Sequence, residues 1–362
     1  MTATGDTAKS TATGAVPALS VVIPLRDEID YVDQLVESLV AQTYPAEAVE
    51  LLFIDGASRD GTRERLSALR QRYLERKGLG ATGERHFRVL DNPEHTVPWA
   101  LNRGIAAAKH DFVVRLDAHS RYESDYLEKI VEAFEQTGAD IVGGPYRVAA
   151  RNRFQDAVGQ AICSRFAIGG SRVHQIDYRG ETDSVAFGAW RREIFERIGG
   201  FDVELTRNQD DEFHYRARRH GLRIHQSPDI RLHYYPRDTP AGLFRQYFQY
   251  GLFKPAVLRK VASGARPRHL APAGFVLYLA TLPATLAWPP WSLPLALYLA
   301  LLGISAASVG RDAGCRLRLV AIYPIIHAAY GLGFLAGLPR ALRRAAAQRS
   351  TDRSRGAAGD PP

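Results

Sequence analysis

The chain has 362 residues, of which 46% are hydrophobic and 24% are charged, so it is neither wholly disordered nor of low complexity. Two cysteines, Cys163 and Cys315, are too few for a disulfide framework and lack the spacing of metal ligands. The net charge of +8 would suit nucleic acid, an anionic membrane or phosphorylated substrates. Because no patch interleaves basic and aromatic residues, we do not expect nucleic-acid binding.

The amino terminus precedes the first predicted element. Residues 1–17 are rich in Thr, Ala and Gly and predict a disordered leader. They lack the basic stretch and the apolar run of a signal peptide. We therefore expect the domain that follows, residues 18–265, to stay in the cytoplasm.

Strands and helices alternate over the next hundred residues. Apolar runs rich in β-branched residues predict four strands, at Ala18–Pro24, Val49–Ile54, Phe87–Leu90 and Phe112–Leu116. Helices are predicted between them, at about Tyr31–Ala41, after Thr62 and at Trp99–Ala108. This alternation predicts an α/β fold with a mostly parallel central sheet. Such sheets bind ligands at the carboxyl ends of their strands, so the residues after these strands should form a site.

Polar residues follow these predicted strands. Asp55 comes directly after the second strand and can accept a hydrogen bond from a nucleotide base, while Ser58 and nearby glycines suit a tight turn. Asp117 and His119 are two residues apart in an extended segment, so they point to one side and suit a metal-bound diphosphate. The carboxylate suits Mg²⁺ or Mn²⁺, and the imidazole favours Mn²⁺. The alternative is structural, with Asp55 as a turn residue and the segment at Asp117 as a helix cap.

Five sequence blocks follow one another in a fixed order: SVVIPLRDE, LLFIDGASRDGT, RLDAHSRY, FGAWRREIFERIGGFD and NQDDEFHYRARRHG. Together they resemble the inverting glycosyltransferase family 2, from about Ser20 to Gly251. The resemblance implies a GT-A fold, a nucleotide-diphospho-sugar donor and a divalent metal, Mn²⁺ or Mg²⁺. The DAHS sequence and the apolar carboxyl-terminal segment look most similar to succinoglycan-type exopolysaccharide glucosyltransferases, which implies UDP-glucose.

The resemblance assigns roles to the matching residues. It implies five donor-binding residues, Pro24, Glu28, Asp55, Asn102 and Asp117. It implies that Asp117 and His119 bind the metal. It implies an acceptor side formed by Gly188, Trp190, Arg191 and Arg216. It makes Asp210 the general base that removes the proton of the acceptor hydroxyl, although Gln209 stands where the family usually has Glu. The alternative for the acids from Asp210 to Glu212 is a solvated helix N-terminus, where negative charge suits the helix dipole.

The carboxyl-terminal third is apolar. No charged residue or histidine occurs from Leu270 to Gly310. This stretch is about twice as long as the roughly 20 residues that a membrane-spanning helix needs. We expect a membrane-associated region at residues 266–340. Its first part should be a helical hairpin, at about Pro272–Ala287 and Ser292–Val309, which is broken at Trp288-Pro289-Pro290-Trp291. A third apolar run follows at Leu319–Leu338. The alternative is a buried helix pair of a soluble domain. Residues 341–362 are expected to form a disordered basic tail.

Basic residues lie on both sides of the third apolar run. One cluster is Arg311, Arg316 and Arg318, and the other is Arg340, Arg343 and Arg344. Both favour the cytoplasmic side, which an even number of crossings allows and three crossings do not. We therefore expect one apolar run to be re-entrant or interfacial. The basic stretch Lys254–Arg268, including Arg259, Lys260 and Arg266, is expected either to rest on lipid head groups or to act as a topology signal.

These observations predict a membrane-bound inverting hexosyltransferase on the cytoplasmic face of the membrane. It would transfer a sugar from a UDP-hexose such as UDP-glucose to a polyprenyl-linked or polysaccharide acceptor, in contact with membrane lipids and other polysaccharide-assembly proteins. A chain that ends near Ser263 is expected to fold and to bind the donor nucleotide. One alternative is a non-catalytic membrane-tethered nucleotide-sugar-binding scaffold. Another is a dinucleotide-dependent oxidoreductase, although residues 24–28 lack the required glycines.

Overall fold

The computed structural model describes residues 16–261 and 267–357, with the side chains of 81–82 and of 344–357 left aside. Most of the predicted leader and the predicted boundary at 265–266 lie outside the described residues.

Eleven strands are present in the described chain: β1 Leu19–Leu25, β2 Val49–Asp55, β3 Phe87–Asp91, β4 Phe112–Arg115, β5 Ser120–Tyr122, β6 Ile141–Gly144, β7 Tyr146–Val148, β8 Gly180–Glu181, β9 Ala186–Arg191, β10 Ile224–Gln226 and β11 Leu232–Tyr234. The first eight helices are α1 Ile29–Val40, α2 Thr62–Arg76, α3 Val97–Ala107, α4 Tyr126–Thr137, α5 Arg153–Cys163, α6 Arg165–Ile168, α7 Glu193–Ile198 and α8 Gln209–Arg219. The last four are α9 Pro240–Lys260, α10 Pro267–Ala280, α11 Leu293–Val309 and α12 Ala313–Ala357.

The strands form one large sheet and one small sheet. The large sheet has the order β3-β2-β1-β4-β9-β6-β10-β8, and the small sheet has the order β5-β11-β7. The strands β3, β2, β1 and β4 are parallel neighbours, whereas β9 runs antiparallel between β4 and β6. The predicted strands and the mostly parallel α/β sheet are therefore confirmed, and the antiparallel β9 is the feature that the alternation did not predict.

Alternate residues of β1 show that helices cover both faces of the large sheet. Val21 and Ile23 belong to a buried cluster that includes Leu35 of α1, whereas Val22 belongs to a second cluster that includes Phe213 of α8. Each such side chain contributes about 1.5–3 kcal/mol to stability when it is fully buried. A parallel strand buried on both faces has a continuous apolar sequence, which is why these strands were visible in the sequence.

The carboxyl-terminal helices differ from the predicted hairpin in their bounds. Helix α10 ends at Ala280, and two short 3₁₀ segments, Leu282–Leu286 and Pro289–Ser292, follow because the prolines there remove backbone donors. Residues 341–362 were predicted to form a disordered tail. In the structure, helix α12 continues as far as Ala357, because this alanine- and arginine-rich stretch contains good helix formers. By length and composition alone, two described segments are long and apolar enough to cross a membrane, Pro289–Val309 and Ala313–Arg343.

Helix α12 meets α9 backbone to backbone. A methyl group on Gly333 would overlap the carbonyl oxygen of Phe248, and one on Gly337 would overlap that of Leu252. The apolar carboxyl-terminal region is therefore packed tightly on the last helix before it, and α9 in turn contacts α8.

Candidate active site

The carboxyl ends of β1, β2 and β4 meet at one edge of the large sheet. Pro24 pairs in register with Ile54, and Leu25 pairs with Asp55. On the other side of β1, Val22 pairs with Arg115 at the end of β4, two residues before Asp117. Pro24, Asp55 and Asp117 therefore lie at the same edge, as the sequence predicted.

Asp55 is 1% exposed, and both of its carboxylate oxygens are engaged. Its Oδ1 accepts hydrogen bonds from the Ser58 backbone N–H (3.2 Å) and hydroxyl (2.6 Å). Its Oδ2 accepts a hydrogen bond from Arg63 Nη1 at 3.2 Å, and Arg63 also pairs with Asp91 at the end of β3. A base at this site would meet an acceptor oxygen beside a guanidinium.

Hydrogen bonds join the loop after β1 to the loop after β2. The Asp60 carboxylate accepts from the Ile29 N–H at the start of α1, and the Thr62 hydroxyl accepts from the Glu28 N–H. The Asp27 carboxylate accepts from the Arg59 N–H. These bonds place Glu28 and Asp55 on one rigid frame. The sequence analysis missed this role of Asp60 and Thr62, although Asp-Gly-Thr before a helix is a typical capping pattern.

Arg115 and Asp117 form a bidentate ion pair, with Nε–Oδ1 at 2.8 Å and Nη2–Oδ2 at 3.1 Å. Arg115 is buried, which disfavours its charge, yet Asp117 and Asp210 outweigh this and raise the pKa of Arg115. The guanidinium therefore stays charged between two candidate site carboxylates. The sequence analysis missed Arg115, although its position two residues before Asp117 in a strand puts both side chains on one side.

His119 lies beside Glu28 at the same edge. Its Nδ1 is 3.4 Å from Glu28 Oε1, and its ring contacts the rings of Tyr31 and Tyr234 at a centroid distance of 6.2 Å each. Within the described residues, no group of three or more Asp, Glu, His or Cys side chains forms a ready metal cluster. The donor types nevertheless fit a divalent cation, because each Asp117 oxygen has a second lone pair that Arg115 does not use.

Asp210 lies in the first turn of α8, within a run of three acids that have different partners. Asp211 pairs with Lys254 Nζ of α9 at 2.5 Å, and Glu212 pairs with Arg216 Nε at 2.8 Å. For Asp210, the contacts of the described chain include only the Asp211 N–H, at 3.0 Å from Oδ1. Its carboxylate is therefore the one in this run that lacks an ion pair among the described residues.

Asp210 and Asp117 both act electrostatically on the same buried groups, Arg115 and Tyr146. Burial raises the pKa of the Tyr146 hydroxyl, and Asp210 raises it further. Burial also lowers the pKa of His214, one helical turn after Asp210, so this imidazole stays neutral although Asp210 favours its charged form. Asp210, Arg115 and Asp117 thus share one electrostatic environment.

Tyrosines line the space beside these charges. The rings of Tyr146 and Tyr234 are 5.4 Å apart between centroids. Gln246 Nε2 donates to the hydroxyls of Tyr234 (3.2 Å) and Tyr250 (3.0 Å). Such a wall combines apolar ring surface with hydroxyl groups, which suits a sugar ring. The sequence analysis did not assign these tyrosines, because three strand and helix positions that are far apart in the chain contribute them.

Comparisons with known proteins agree with this geometry. The sequence profile of Glycosyl transferase family 2 matches residues 20–199. The succinoglycan biosynthesis protein ExoA of Rhizobium meliloti (strain 1021) is 35% identical over 234 residues, which are 64% of this chain and 67% of that protein. This chain belongs to glycosyltransferase family 2. The predicted oxidoreductase alternative is thereby set aside.

Two further relatives extend the comparison of this family 2 glycosyltransferase. A dolichyl N-acetyl-α-D-glucosaminyl phosphate 3-β-D-2,3-diacetamido-2,3-dideoxy-β-D-glucuronosyltransferase of Methanococcus voltae is 25% identical over 248 residues, 67% of this chain and 74% of that protein. The solved mannosyltransferase PcManGT of Pyrobaculum calidifontis, in complex with GDP-Man and Mn²⁺, has a TM-score of 0.56 and 21% identity over 88% of each chain. The predicted GT-A fold is confirmed.

Two residues that the family resemblance assigns to the substrate site, Asn102 and Trp190, make close contacts within the protein. Asn102 uses its amide to bind both the N–H and the carbonyl of Phe201, each at 2.8 Å, so it fixes that loop. Trp190 is 1% exposed, in a cluster with Phe201 and Phe213. The resemblance located these positions correctly in sequence, but packing between sheet and helices determines where their side chains point.

The remaining acceptor-side residues separate from one another. Gly188 lies near the site edge of β9, with a φ of +87° that favours glycine. Arg191 lies at the opposite end of β9, paired in register with Phe112, because β9 runs antiparallel to β4. Arg216 binds Glu212 and the carbonyl groups from Ile198 to Gly200, so it holds a loop. Arg191 thus lies at the far end of β9 and Arg216 of α8 binds a loop, and their acceptor-side roles stay predictions.

Proposed function

We propose that this family 2 glycosyltransferase moves a hexose from a UDP-sugar, UDP-glucose in the first instance, to a lipid-linked or polysaccharide acceptor with inversion, using Asp210 as the base. The observation that carries the proposal is the open carboxylate of Asp210. Among the three successive acids of α8 it alone lacks an ion pair in the described chain, and it shares its environment with the Arg115–Asp117 pair.

The surroundings of Asp55 support a uracil base. Uracil presents one ring N–H flanked by carbonyl oxygens, whereas guanine presents two adjacent N–H donors. Ser58 donates twice to Asp55 Oδ1 and Arg63 Nη1 donates to Oδ2, so a base would approach an acceptor oxygen that has a donor beside it. One acceptor beside one donor matches the imide edge of uracil better than the edge of guanine.

The charges at Asp117 support binding of the donor diphosphate. Asp117 and His119 would hold the divalent cation, which neutralises negative charge on the leaving diphosphate when it is bound. Arg115 orients the Asp117 carboxylate through two hydrogen bonds. Glu28 lies beside His119 and orients its ring through Nδ1.

Asp210 supplies the base that inversion requires. In an in-line displacement the acceptor hydroxyl attacks the anomeric carbon from the side opposite the diphosphate. The carboxylate accepts the hydroxyl proton as the new glycosidic bond forms and the bond to the diphosphate breaks. Lys254 and Arg216 bind the neighbouring acids, so Asp210 remains the free acceptor of the run.

The apolar surface of the carboxyl-terminal region supports membrane association. Along one side of α11, Leu293, Leu297 and Ile304 are 62–66% exposed, and the segment Pro289–Val309 is largely unburied. Such a continuous apolar surface suits lipid and not water. The arginines around α12 support a position of the catalytic domain on the cytoplasmic face, where a polyprenyl-linked acceptor and other polysaccharide-assembly proteins would meet it. Lys254 and Lys260 of the basic stretch pair with acids of the catalytic domain. We therefore assign the proposed contact with lipid head groups to the other basic residues of this stretch.

The test uses the full chain in detergent or nanodiscs. UDP-, GDP- and dTDP-hexoses are compared by thermal shift with Mn²⁺ or Mg²⁺, because a ligand that binds the native state raises its stability. We expect UDP-glucose to stabilise the protein most and to be turned over. Asp210→Asn should keep donor binding and lose transfer, whereas Asp177→Asn, an exposed control, should keep both. Transfer by Asp210→Asn at the wild-type rate would remove Asp210 from the mechanism, and donor binding without any transfer by the wild type would favour the scaffold alternative.

A further inference from the structure

Helix α12 passes the length and hydropathy criteria for a membrane span, yet it contacts the catalytic domain along its length. Near its start, Cys315 Sγ donates to Gln160 Oε1 of α5 at 3.3 Å. At its middle, His327 Nε2 donates to the Phe166 carbonyl of α6 at 2.9 Å. Further on, Gly337 touches the Leu252 backbone of α9. All three contacts are made with helices of the predicted catalytic domain, α5, α6 and α9.

The contacts with the catalytic domain extend over a length of α12 that can be compared with the thickness of a bilayer. Twenty-two residues separate Cys315 from Gly337, which is about 33 Å of helix at 1.5 Å per residue. A bilayer core is about 30 Å thick, so a crossing helix would have left its starting side over this length. The helix α9 that accompanies α12 carries Arg245, Gln249 and Lys254, and Lys254 is paired with Asp211 of the catalytic domain. Charged groups of this kind are costly to place in hydrocarbon.

The α10–α11 hairpin has the opposite character. It contains no charged residue or histidine between Leu270 and Gly310, and the side chain of Leu286 near its tip is 91% exposed. Both of its ends are held by the catalytic domain. Arg268 at the start of α10 donates to the Gly169 carbonyl (3.3 Å), and Arg311 after α11 lies 3.7 Å from Asp156 of α5.

We propose that the α10–α11 hairpin is the membrane-inserted element and that α12 lies between the catalytic domain and the bilayer without crossing it. The inference rests on the proposed membrane association and identifies the apolar run that is interfacial. It also explains the arginines on both sides of the third apolar run. With α12 on the surface, Arg311, Arg316 and Arg318 and also Arg340 and Arg343 are on one side of the membrane, as the positive-inside rule requires.

The test is the accessibility of two sites in sealed inverted membrane vesicles. In a Cys163→Ser, Cys315→Ser background, Arg311→Cys places a thiol between α11 and α12, where the native side chain is 77% exposed. A protease site and an epitope tag follow Pro362. Gln71→Cys on exposed α2 is the control that marks the catalytic side. We expect an impermeant maleimide to label Arg311→Cys and Gln71→Cys alike, and the protease to remove the tag, both without detergent.

Each other outcome overturns the proposal in a distinct way. If the tag is cut only after detergent, α12 crosses the membrane. If Arg311→Cys is labelled only after detergent, α11 has crossed and α12 returns. If the protein is recovered in the soluble fraction, the proposal falls together with the membrane association. Sugar transfer is assayed separately on the same vesicles, so a failure of the topology and a failure of the proposed reaction are distinguishable.

Discussion

Arg115 and Asp117, two residues apart at the end of β4, bind each other through two hydrogen bonds while Asp210 acts on the same guanidinium. A cation of the protein itself thus interacts both with the residue proposed to hold the metal and with the residue proposed as base. Two carboxylates facing one diphosphate would otherwise repel it, and Arg115 offsets one of these charges.

Arg115→Met should strongly destabilise the protein. Removing one partner of a buried ion pair leaves the other charge uncompensated, at a cost on the order of 3 kcal/mol. Adding Asp117→Asn should recover part of this loss, because it removes the carboxylate charge that Arg115→Met leaves unpaired. Unfolding free energies of the two single variants and the double variant measure this coupling. Strictly additive losses would show that the pair contributes nothing as a pair.

Arg63→Leu should weaken UDP binding and leave GDP binding unchanged. A hydrogen bond to a charged group is worth about 1.5–3 kcal/mol, or roughly a 10- to 100-fold change in affinity. Titration calorimetry of UDP and GDP measures the effect. Arg65→Leu is the matched control, because Arg65 lies on the same helix and pairs with Asp33 at the surface. Equal UDP affinities for Arg63→Leu and Arg65→Leu would contradict a hydrogen bond from Arg63 to the uracil base.

Gly333→Ala should destabilise the contact between α9 and α12. The added methyl group overlaps the Phe248 carbonyl, and overpacking of this kind costs about 1–3 kcal/mol. Gly303→Ala on α11 is the control, because a methyl group there meets no atom within 4 Å and helix propensity favours alanine. Thermal unfolding in detergent measures both variants. A Gly333→Ala protein as stable as Gly303→Ala would contradict the close backbone contact.

Stability should fall on acidification through the environment of His174. This ring stacks on Tyr146, and burial lowers the pKa of His174 to about 4. An unfolded histidine titrates near 6.5, so between about 6.5 and 4 the unfolded chain binds a proton that the folded chain does not. The free energy of unfolding therefore falls as pH falls through this window.

The variant His174→Gln should show a smaller loss of stability over the same pH range. Denaturant unfolding between about pH 7 and 4.5 measures the slope for the variant and the wild type. His220→Gln at the exposed end of α8 is the control and should keep the wild-type slope. Parallel slopes for wild type and His174→Gln would show that another group carries the effect.

The sequence predicted the sheet edge well, because buried parallel strands and the polar residues after them are local signals. Asp55 and Asp117 were found in this way. The role of Arg115 was not, since it depends on the neighbouring charges that the fold assembles. The surroundings of Trp190 and Arg191 were not predicted either: they lie two and three residues after Gly188, but β9 carries them into the core and to the opposite end of the sheet.

The carboxyl-terminal region shows the same limit. Composition indicated its apolar runs, but not that α12 packs on α9 through glycines. This contact argues against the expectation that a chain ending near Ser263 folds independently. Such a chain would leave Leu243 and Gly251 of α9 without the α12 residues on which they pack.

The glycine contact between α9 and α12 also sets an order of events during synthesis. Gly251 leaves the ribosome 82 residues before Gly333, which at about 5–20 residues per second is an interval of roughly 4–16 s. Throughout it, α9 lacks the glycine face of α12 against which it packs, and α8 is joined through Asp211 and Lys254 to a helix that is not yet fully packed. The nascent catalytic domain is therefore expected to stay incomplete and idle until its apolar helices have emerged beside the bilayer, so that activity begins only where its lipid surroundings already exist.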